Sequence, residues 1–287
     1  MELRNKDGLT EEEFLKAYKP GDYEKPSNTV DMLLFTIDEI ASNIRKNSEK
    51  ELKVLLIKRG DHPFMHQWAI PGGFVNITED IEDAAYRELE EETHLKDDVY
   101  LEQLGTFGKP KRDPRMRVIS IAYMALTKRD NIKKTLSGDD ASDALWFNVS
   151  KENLDSNNFI ITLKNNDSKI SIGYRFNKIG KDKNGKNIYN IESITTEKLA
   201  FDHIEILNTA IDRLRGKIFY TNIAFNLLSE QFTLSELRQV YEVILGKTLD
   251  NGNFRKKISD LVEEVPKTVE EKVGHRPSKY YRLKEED

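Results

Sequence analysis

The chain has 287 residues, enough for two domains, and its formal net charge of -5 at pH 7 excludes a globally basic nucleic-acid binder. It contains no cysteine, which excludes disulfides, zinc–thiolate sites and thiol nucleophiles. No apolar run reaches the length of a membrane span, and residues 1–19 are too charged for a secretory signal peptide, so we expect a cytoplasmic protein without a membrane partner.

A short helix and a series of strands are predicted through the first half of the chain. Leu9–Leu15 has the pattern of a capped helix, and apolar runs predict strands at Thr29–Ile37 and Leu52–Lys58. Two further strands are predicted at Val99–Phe107 and Arg117–Leu126. Short strands with a helix placed between them are typical of an α/β fold, here an α/β/α sandwich.

Between these strands lies an acidic segment, GFVNITEDIEDAAYRELEEETHL, which runs from Gly73 to Leu95. On an α-helix, Glu88, Glu91 and Glu92 are related by i, i+3 and i+4, so their carboxylates lie on one face. Neighbouring carboxylates raise one another's pKa, and a bound cation neutralises them. Converging carboxylates suit Mg²⁺ or Mn²⁺, with substrate phosphates completing the site. The alternative is an acidic helix whose charged face is only solvated.

The other positions of this segment fit an amphipathic helix that follows a glycine loop. The loop is Pro71–Gly73, and either Thr78 or Asp80 is placed to cap the first turn. The buried face is predicted to consist of small and apolar residues, Ile81, Ala84, Ala85 and Leu89. A loop followed by an acidic helix is the order that a metal-dependent phosphohydrolase requires.

The segment resembles the Nudix box, whose pattern is G-x5-E-x7-R-E-U-x-E-E-x-G-U with U aliphatic. The charged positions of the pattern are filled by Glu79, Arg87, Glu88, Glu91 and Glu92. The resemblance implies metal binding by Glu88, Glu91 and Glu92. It also implies catalysis by Glu91, Glu92 and Arg87, with Glu92 or a neighbour as the general base. Arg87 would be held by a glutamate, and Glu79 would brace the loop.

His94 stands where the Nudix box has its second glycine. A glycine there ends the helix in a left-handed turn, which other residues adopt at a cost of roughly 1 kcal/mol. Histidine tolerates that conformation better than most residues. We therefore interpret His94 as a tolerated substitution at the helix end, and it removes no predicted ligand.

The residues downstream of the box resemble the ADP-ribose pyrophosphatase branch of the Nudix family. The resemblance rests on Tyr100–Phe107, Arg112–Arg115 and Arg117–Tyr123, although family members commonly have glycine at the position of Met116. It implies hydrolysis of ADP-ribose to AMP and a sugar phosphate, or hydrolysis of a related nucleoside diphosphate sugar. The substrate would contact the loop glycines and arginines that pair with diphosphate oxygens, namely Gly72, Gly73, Arg112, Arg115 and Arg117.

The middle of the chain is rich in strand-forming residues separated by Asn and Gly turns. Strands are predicted at Phe159–Leu163, Ile170–Phe176 and Ile188–Ile194. They form either an extra hairpin layer on the sandwich or a surface for dimerisation.

From Tyr220 onward, three short helices precede a β-hairpin. The helices are predicted at Tyr220–Leu228, from a T-x-x-E capping box at Thr233, and from Asn251 or Asn253. The third helix carries apolar residues inward, Phe254, Ile258 and Leu261. Glu263–Val273 and the residues up to Leu283 are predicted to form two strands and their turn.

These C-terminal elements resemble a winged helix-turn-helix. The resemblance implies DNA contacts from the third helix and the wing, made by Arg255, Lys256, Lys257, Arg276, Lys279 and Arg282. From Arg213 to Asp287 there are 14 Lys and Arg residues and 12 Asp and Glu residues, so DNA affinity would depend on a few local cations. The alternative is a winged helix used for dimerisation or protein docking.

The whole chain resembles the NrtR-type, Nudix-related transcriptional regulators of NAD and sugar metabolism. This implies a Nudix domain at residues 1–195 with a strand-rich extension at about 151–195, a linker helix at 196–216 and a winged helix at 217–287. Leu199–Leu214 resembles the A-F-D-H linker helix of that family. His203 within it is either bonded locally or in contact with a ligand or partner.

Two functions are compatible with this resemblance. The first is a Mg²⁺- or Mn²⁺-dependent hydrolase of ADP-ribose or a related compound. The second is a sensor that binds such a nucleotide sugar with little turnover and changes how a homodimer binds double-stranded DNA. The two functions coexist in a slow hydrolase that both binds and removes its signal.

Overall fold

The computed structural model describes residues 3–19, 21, 24–39, 50–93, 95, 99–129, 131, 144–268 and 279–284. Helix α1 (Glu11–Ala17) begins with a capping box, in which the Thr10 hydroxyl accepts from the Glu13 amide and the Glu13 carboxylate accepts from the Thr10 amide. The predicted capped helix is thus present. Within these residues, no helix has the length and apolar character needed to cross a membrane.

One ten-stranded sheet forms the centre of the molecule. Its strands are β1 (Ser27–Glu39), β2 (Lys50–Lys58), β3 (Trp68–Ala69), β4 (Gly72–Phe74), β5 (Tyr100–Phe107), β6 (Val118–Leu126), β7 (Ala144–Asn153), β8 (Asn158–Asn165), β9 (Ile170–Lys181) and β10 (Asn187–Ser193). Their order is β10-β9-β8-β7-β2-β1-β6-β5, while β3 pairs with β2 and β4 pairs with β1. β1 and β6 are parallel, and the other pairs are antiparallel.

The three predicted strands of the middle segment correspond to β8, β9 and β10, of which β10 ends at Ser193, one residue before the predicted end. They do not form an extra layer, because β8 pairs with β7 from Asn148↔Lys164 to Asn153↔Phe159 and so continues the central sheet. β7 was not predicted, although apolar and polar residues alternate in Phe147–Ser150 in the way that strands do. Use of this segment as a dimer surface stays a prediction.

The sheet carries one helix on each face, α2 (Ile81–Thr93) and α3 (His203–Lys217). Successive side chains of a strand point to opposite faces. In β1, Met32 accordingly packs in the core beneath α2, whereas the next residue, Leu33, packs in the core beneath α3. The predicted α/β/α sandwich is confirmed, and the helix predicted as a linker is one of its two outer layers.

The C-terminal elements form the predicted winged helix. They are a 3₁₀ helix (Ile223–Leu227), β11 (Phe232–Thr233), α4 (Leu234–Leu245), α5 (Asn251–Ile258), β12 (Val262–Thr268) and β13 (Lys279–Leu283). The strands are ordered β11-β13-β12. Helix α4 begins at the capping box of Thr233 and Glu236 and ends at Gly246, whose φ of 66° is the left-handed conformation of a helix C-cap. In α5, the cap is Asp250 rather than a predicted asparagine.

Two predicted helices have different boundaries. The helix predicted from Leu199 begins only at His203. Before it, Leu199 forms a β-bridge with Trp68, and Phe201 has a φ of 52°, which is not a helical conformation. In Tyr220–Leu228, only a short 3₁₀ helix forms. The Thr221 hydroxyl donates to the Lys217 carbonyl, and such local side-chain bonds compete with regular helix.

The winged helix shares one hydrophobic core with the sandwich. Side chains of the sheet, α3, α4 and α5 belong to the same buried cluster. Arg215, in the last turn of α3, links these parts, since its Nε donates to the Ile244 carbonyl at 2.9 Å and its Nη2 donates to the Lys151 carbonyl at 3.2 Å. A movement of α3 would therefore also move its contacts with the winged helix.

Candidate functional site

Pro71–Gly73, called the glycine loop below, runs against both β1 and α2, and its two glycines begin β4 instead of forming the predicted loop. A Cβ on Gly72 would overlap the Val30 carbonyl oxygen, and a Cβ on Gly73 would overlap the Glu88 carboxylate. Only glycine fits at both positions, because any side chain would displace backbone or a buried acid. The glycine loop and the acidic helix, which follow each other in the sequence, are therefore in direct contact.

Arg87 of α2 connects the carboxylates of the box. Its Nε donates to Glu79 Oε1 at 2.7 Å and its Nη1 donates to Glu88 Oε1 at 2.6 Å and to Glu91 Oε2 at 3.3 Å. Its Nη2 donates to the Phe74 carbonyl at 3.1 Å. The first turn of α2 is stabilised by Asp80, whose side chain accepts from the Glu82 amide. His94, at the end of this segment, lies outside the described residues.

The carboxylates of the box have different ionisation properties. The hydrogen bond from Arg87 lowers the pKa of Glu79 to about 2. Burial raises the pKa of Glu88 in spite of its bond to Arg87. Burial also raises the pKa of Glu92, and the charges of Glu88 and Glu91 raise it further. A cation beside Glu88 and Glu92 would remove the cost of this repulsion.

The three predicted metal ligands are close neighbours but do not yet form a coordination shell. Among the residues that the structure describes, no three histidine, aspartate or glutamate side chains are arranged to hold a metal ion. The reason is local, since Arg87 binds Glu88 and Glu91, and the Glu91 side chain is 59% exposed. Their oxygen atoms are nevertheless the donors that Mg²⁺ and Mn²⁺ prefer. The donor chemistry fits a divalent ion that competes with Arg87 for these oxygens.

A cleft of about 180 Å³ lies on the other side of the glycine loop. Its lining includes Gly72, Gly73, the rings of Phe74 and Phe201, and the side chains of Arg59, Arg112, Arg115 and His203. A larger cavity of about 700 Å³, between the sheet edge and the winged helix, contains none of the box residues. The cleft beside the loop is therefore the candidate ligand site.

Arg112 lines this cleft, and its Nε and Nη2 groups donate to two aspartates. Its Nη2 lies 2.6 Å from Asp202 Oδ1, its Nε lies 3.0 Å from Asp202 Oδ2, and Nη2 also reaches Asp31 Oδ2 at 3.3 Å. The side chain is only 5% exposed. Arg112 therefore holds the wall of the cleft together, and its pairing with a diphosphate stays a prediction.

Two other predicted arginines differ in position. Arg115 lines the cleft, pairs with Asp113 at 2.8 Å and lies over the ring of Phe74. Arg117 is exposed, donates to the Lys109 and Val118 carbonyls and does not line the cleft. The prediction that Arg117 contacts the ligand is thus not supported by its position.

Arg59 is a cleft residue that was not predicted from the sequence. Its guanidinium lies 4.9 Å from the centre of the Phe201 ring, and its Nε donates to the Pro63 carbonyl. Among the described residues, no carboxylate forms an ion pair with it. Burial lowers the pKa of Arg59, and the nearby charge of Arg115 lowers it further. Two cations that repel each other in a cleft favour an anionic ligand. A cation directly after a buried strand was the available sequence signal.

His203, at the start of α3, is buried, and its side chain is hydrogen-bonded to a residue far away in the sequence. Its Nδ1 accepts from the Ile70 amide at 2.9 Å, and its Nε2 lies 3.8 Å from Asp31 Oδ1. Burial lowers its pKa, so the imidazole is neutral and Nδ1 is free to accept. The interpretation of a locally bonded helix histidine is therefore wrong, because the partner, Ile70, lies between β3 and the glycine loop.

The predicted DNA-binding cations fall into three groups. Arg255 and Lys256 of α5 are exposed, and neither side chain has an ion-pair partner within the described part of the chain. Lys257 lies over the rings of Phe219 and Tyr241. On β13, two cations are paired across the hairpin, Lys279 with Glu264 and Arg282 with Glu263. Arg276 lies outside the described residues.

The sandwich with its glycine loop and acidic helix, followed by the helices and wing, defines a class of protein, a Nudix domain joined to a winged helix-turn-helix. Family models agree with both parts. The NUDIX domain matches residues 39–161, and the NrtR DNA-binding winged helix domain matches residues 224–283.

Similar proteins cover the whole chain. The ADPR responsive transcriptional repressor NtrR of Acinetobacter baylyi is 31% identical over 283 residues, which are 97% of this chain and 90% of that protein. The ADP-ribose pyrophosphatase of Methanocaldococcus jannaschii is 43% identical over 102 residues, which are 36% of this chain and 58% of that protein. The chain belongs to the NrtR family of Nudix-related regulators.

Two solved structures resemble the full chain as well. A MutT/nudix family protein from Enterococcus faecalis has 34% identity and a TM-score of 0.69, with 96% of this chain and 94% of that chain covered. Shewanella oneidensis NrtR, solved with a 27mer DNA, has 29% identity and a TM-score of 0.61, with 89% and 93% covered. The arrangement of a Nudix sandwich and a winged helix is therefore shared with experimentally determined relatives.

Proposed function

We propose that this protein is a transcriptional regulator that responds to a metabolite. Its Nudix cleft binds ADP-ribose or a related nucleoside diphosphate sugar, and its winged helix binds double-stranded DNA as part of a homodimer. One observation carries the proposal. At the start of α3, His203 lines the cleft and Asp202 binds the cleft residue Arg112, while Arg215 in the last turn of α3 contacts the winged helix. One continuous helix thus connects the two sites.

The chemistry of the cleft supports a diphosphate ligand. Arg59 and Arg115 place two guanidinium groups near each other, and guanidinium binds phosphate oxygens through paired donors. A volume of about 180 Å³ suits a diphosphate group better than a whole nucleotide sugar. The flanking base or ribose would extend along the ring of Phe74, which is 43% exposed. The name of the Acinetobacter baylyi relative, which describes a response to ADPR, agrees with this ligand class.

The DNA-binding part of the proposal rests on α5. Its cations Arg255 and Lys256 are exposed and available for phosphate contacts, whereas Lys279 and Arg282 of the wing are paired with glutamates. A few cations per subunit give weak binding, and a homodimer would double them. The S. oneidensis relative was solved with DNA, which supports a similar use of the winged helix here.

Thermal shift and gel shift measurements test the two parts separately. A panel of ADP-ribose, UDP-glucose, NAD and AMP should show stabilisation by ADP-ribose, because a ligand that binds only the folded state raises the melting temperature. A gel shift with DNA from upstream of the protein's own gene should show binding at low salt. Absence of binding at low salt, with and without ADP-ribose, would leave the winged helix as a docking module.

A second candidate function is hydrolysis of the same ligand. It is favoured by the repulsion among Glu88, Glu91 and Glu92, which a divalent ion held by these residues would neutralise. When bound, Mg²⁺ or Mn²⁺ would supply Lewis-acid chemistry at the phosphate. Glu92, whose pKa is raised, would accept the proton of the attacking water, while Arg87 would position Glu88 and Glu91.

The reaction would form a bond from the water oxygen to one phosphorus and break the bridging P–O bond, giving AMP and a sugar phosphate from ADP-ribose. AMP release from ADP-ribose with Mg²⁺ or Mn²⁺ tests this candidate. Binding of ADP-ribose without AMP release in either ion would leave the sensor function alone.

A further inference from the structure

Three distant parts of the chain meet around one buried cation beside the cleft. Arg112, in the loop between β5 and β6, binds both oxygens of Asp202 and one oxygen of Asp31 in β1. Asp31 also accepts a hydrogen bond from the Ser120 hydroxyl. Asp202 is the N-cap residue of α3. The start of α3 is therefore held by charge to the β5–β6 loop and, through Arg112, to β1.

His203 provides a second link between α3 and the ligand site. Its Nδ1 accepts from the amide of Ile70, which directly precedes the Pro71–Gly73 loop. Gly73 in turn lies against the carboxylate of Glu88. The position of this loop relative to the acidic helix thus depends on where α3 begins.

Phe201 closes the same side of the cleft. Its ring packs edge-on against Phe64 at 4.8 Å and lies beneath the guanidinium of Arg59 at 4.9 Å. Its φ of 52° is unusual for a side chain of this size, and such a conformation persists only where surrounding contacts hold it. Just before it, the Ala200 amide donates to the Trp68 carbonyl at 2.8 Å.

We infer that residues 199–203, which we name the closing segment, form one wall of the ligand site, and that Asp202 and His203 are positioning residues for it. This inference rests on the proposed function and specifies its regulation. The site is complete only when the closing segment is docked. A ligand in the cleft therefore stabilises the docked position of the closing segment, and an undocked closing segment weakens ligand binding by the same factor.

Calorimetric titration of ADP-ribose into the full-length protein tests the role of Asp202. Asp202→Asn removes a charge from the link to Arg112 and should weaken ADP-ribose binding roughly fivefold or more. Glu205→Gln is the matched control, because Glu205 lies one turn further along α3 and pairs with Lys109 of the same loop. It removes an ion pair between the same two elements without touching the cleft and should leave the affinity unchanged.

Hydrogen exchange on the wild-type protein tests the inference without a substitution. ADP-ribose should slow amide exchange in residues 199–206 and in the glycine loop. A wild type that binds ADP-ribose with no such protection would overturn the inference, as would equal affinities of Asp202→Asn and Glu205→Gln. A wild type that binds no ADP-ribose at all would overturn the proposed function, and the inference with it.

Discussion

Arg87 and Glu79 form a two-bond ion pair that joins α2 to the turn before it. Arg87 Nε lies 2.7 Å from Glu79 Oε1, and Nη2 lies 3.1 Å from Oε2. Glu79 also accepts from the backbone amide and the side-chain amide of Asn76. Glu79, which contacts no ligand in any proposed step, therefore holds both the turn at Asn76 and Arg87, the residue that contacts Glu88 and Glu91.

Replacement of Glu79 should destabilise the protein in a pH-dependent way. The pKa of Glu79 is lowered to about 2, so its carboxylate stabilises the folded state above its ordinary pKa of 4.5. The difference in unfolding free energy between wild type and Glu79→Gln should be constant from neutral pH down to about 5.5, since Glu79 is ionised there in both the folded and the unfolded state.

As the pH falls through 4.5 toward 2, this difference should shrink, because protonation removes the wild-type advantage. Urea denaturation at several pH values measures it. Asp83→Asn, on the exposed side of the same helix, is the control and should show no such dependence. A stability difference between wild type and Glu79→Gln that persists unchanged to pH 3 would contradict the role of the Arg87 ion pair.

Glu92→Gln should have opposite effects on metal-free and metal-bound protein. At neutral pH it removes a half-buried charge that Glu88 and Glu91 repel, so the melting temperature without metal should rise. The further rise on adding Mn²⁺ should be lost, and AMP release should fall on the order of 10²–10⁴-fold if Glu92 is the base. Thermal melts and AMP assays measure both. Retained Mn²⁺ stabilisation in the variant would remove Glu92 from the metal site.

Divalent binding should weaken in acid. Protons compete with the metal for carboxylates, and the pKa values of Glu88 and Glu92 are raised above their ordinary value of 4.5. The Mn²⁺ affinity should therefore begin to fall at a pH above that expected for ordinary glutamates. Titrations between pH 5 and pH 8 detect the trend, and an affinity that stays flat across this range would argue against these ligands.

Replacing Gly73 by alanine should reduce stability and Mn²⁺ binding more than the same replacement of a glycine elsewhere in the sheet. The Cβ of Gly73→Ala would overlap the Glu88 carboxylate, and crowding of this kind typically costs about 1–3 kcal/mol. Gly105→Ala is the control, since no atom lies within 4 Å of its added Cβ. Unfolding and Mn²⁺ titrations compare the two variants. Equal behaviour would show that the loop does not need to approach Glu88 closely.

DNA binding should depend on helix α5 and on salt. Arg255→Ala should weaken binding to all sequences and reduce the slope of log affinity against log salt by roughly 0.9 for each phosphate that the variant no longer neutralises. Lys164→Ala, an exposed cation on β8, is the matched control. Anisotropy titrations at several salt concentrations measure the slopes. An unchanged slope for Arg255→Ala would place the DNA elsewhere.

Much of the fold follows from local sequence patterns. The capping boxes at Thr10 and Thr233 and the spacing of the box from Glu79 to Glu92 act over a few residues, and the structure reproduces the predicted elements around them. The contacts of His203 could not be predicted, because Ile70 lies 133 residues away. The same applies to Arg112, whose partners Asp31 and Asp202 are separated from it by 81 and 90 residues.

The site arginines show what the sequence leaves open. The resemblance implied Arg112, Arg115 and Arg117 as diphosphate ligands, but which arginines are free to bind a ligand depends on acids that folding brings near. Asp202 pairs with Arg112 and Asp113 pairs with Arg115, whereas no described carboxylate forms an ion pair with Arg59. Charge patterns along a chain indicate a class of ligand, whereas the competition between ligand and internal partners is decided only in three dimensions.

Whether the Nudix cleft and the winged helix act on each other is decided by one titration. Fluorescence anisotropy of a labelled duplex from upstream of the protein's own gene would be recorded with increasing protein, once without and once with saturating ADP-ribose. We expect the apparent Kd for DNA to shift roughly fivefold or more, which is a typical coupling between two sites. Superimposable curves, in a protein that calorimetry shows to be saturated with ADP-ribose, would contradict a metabolite-responsive regulator.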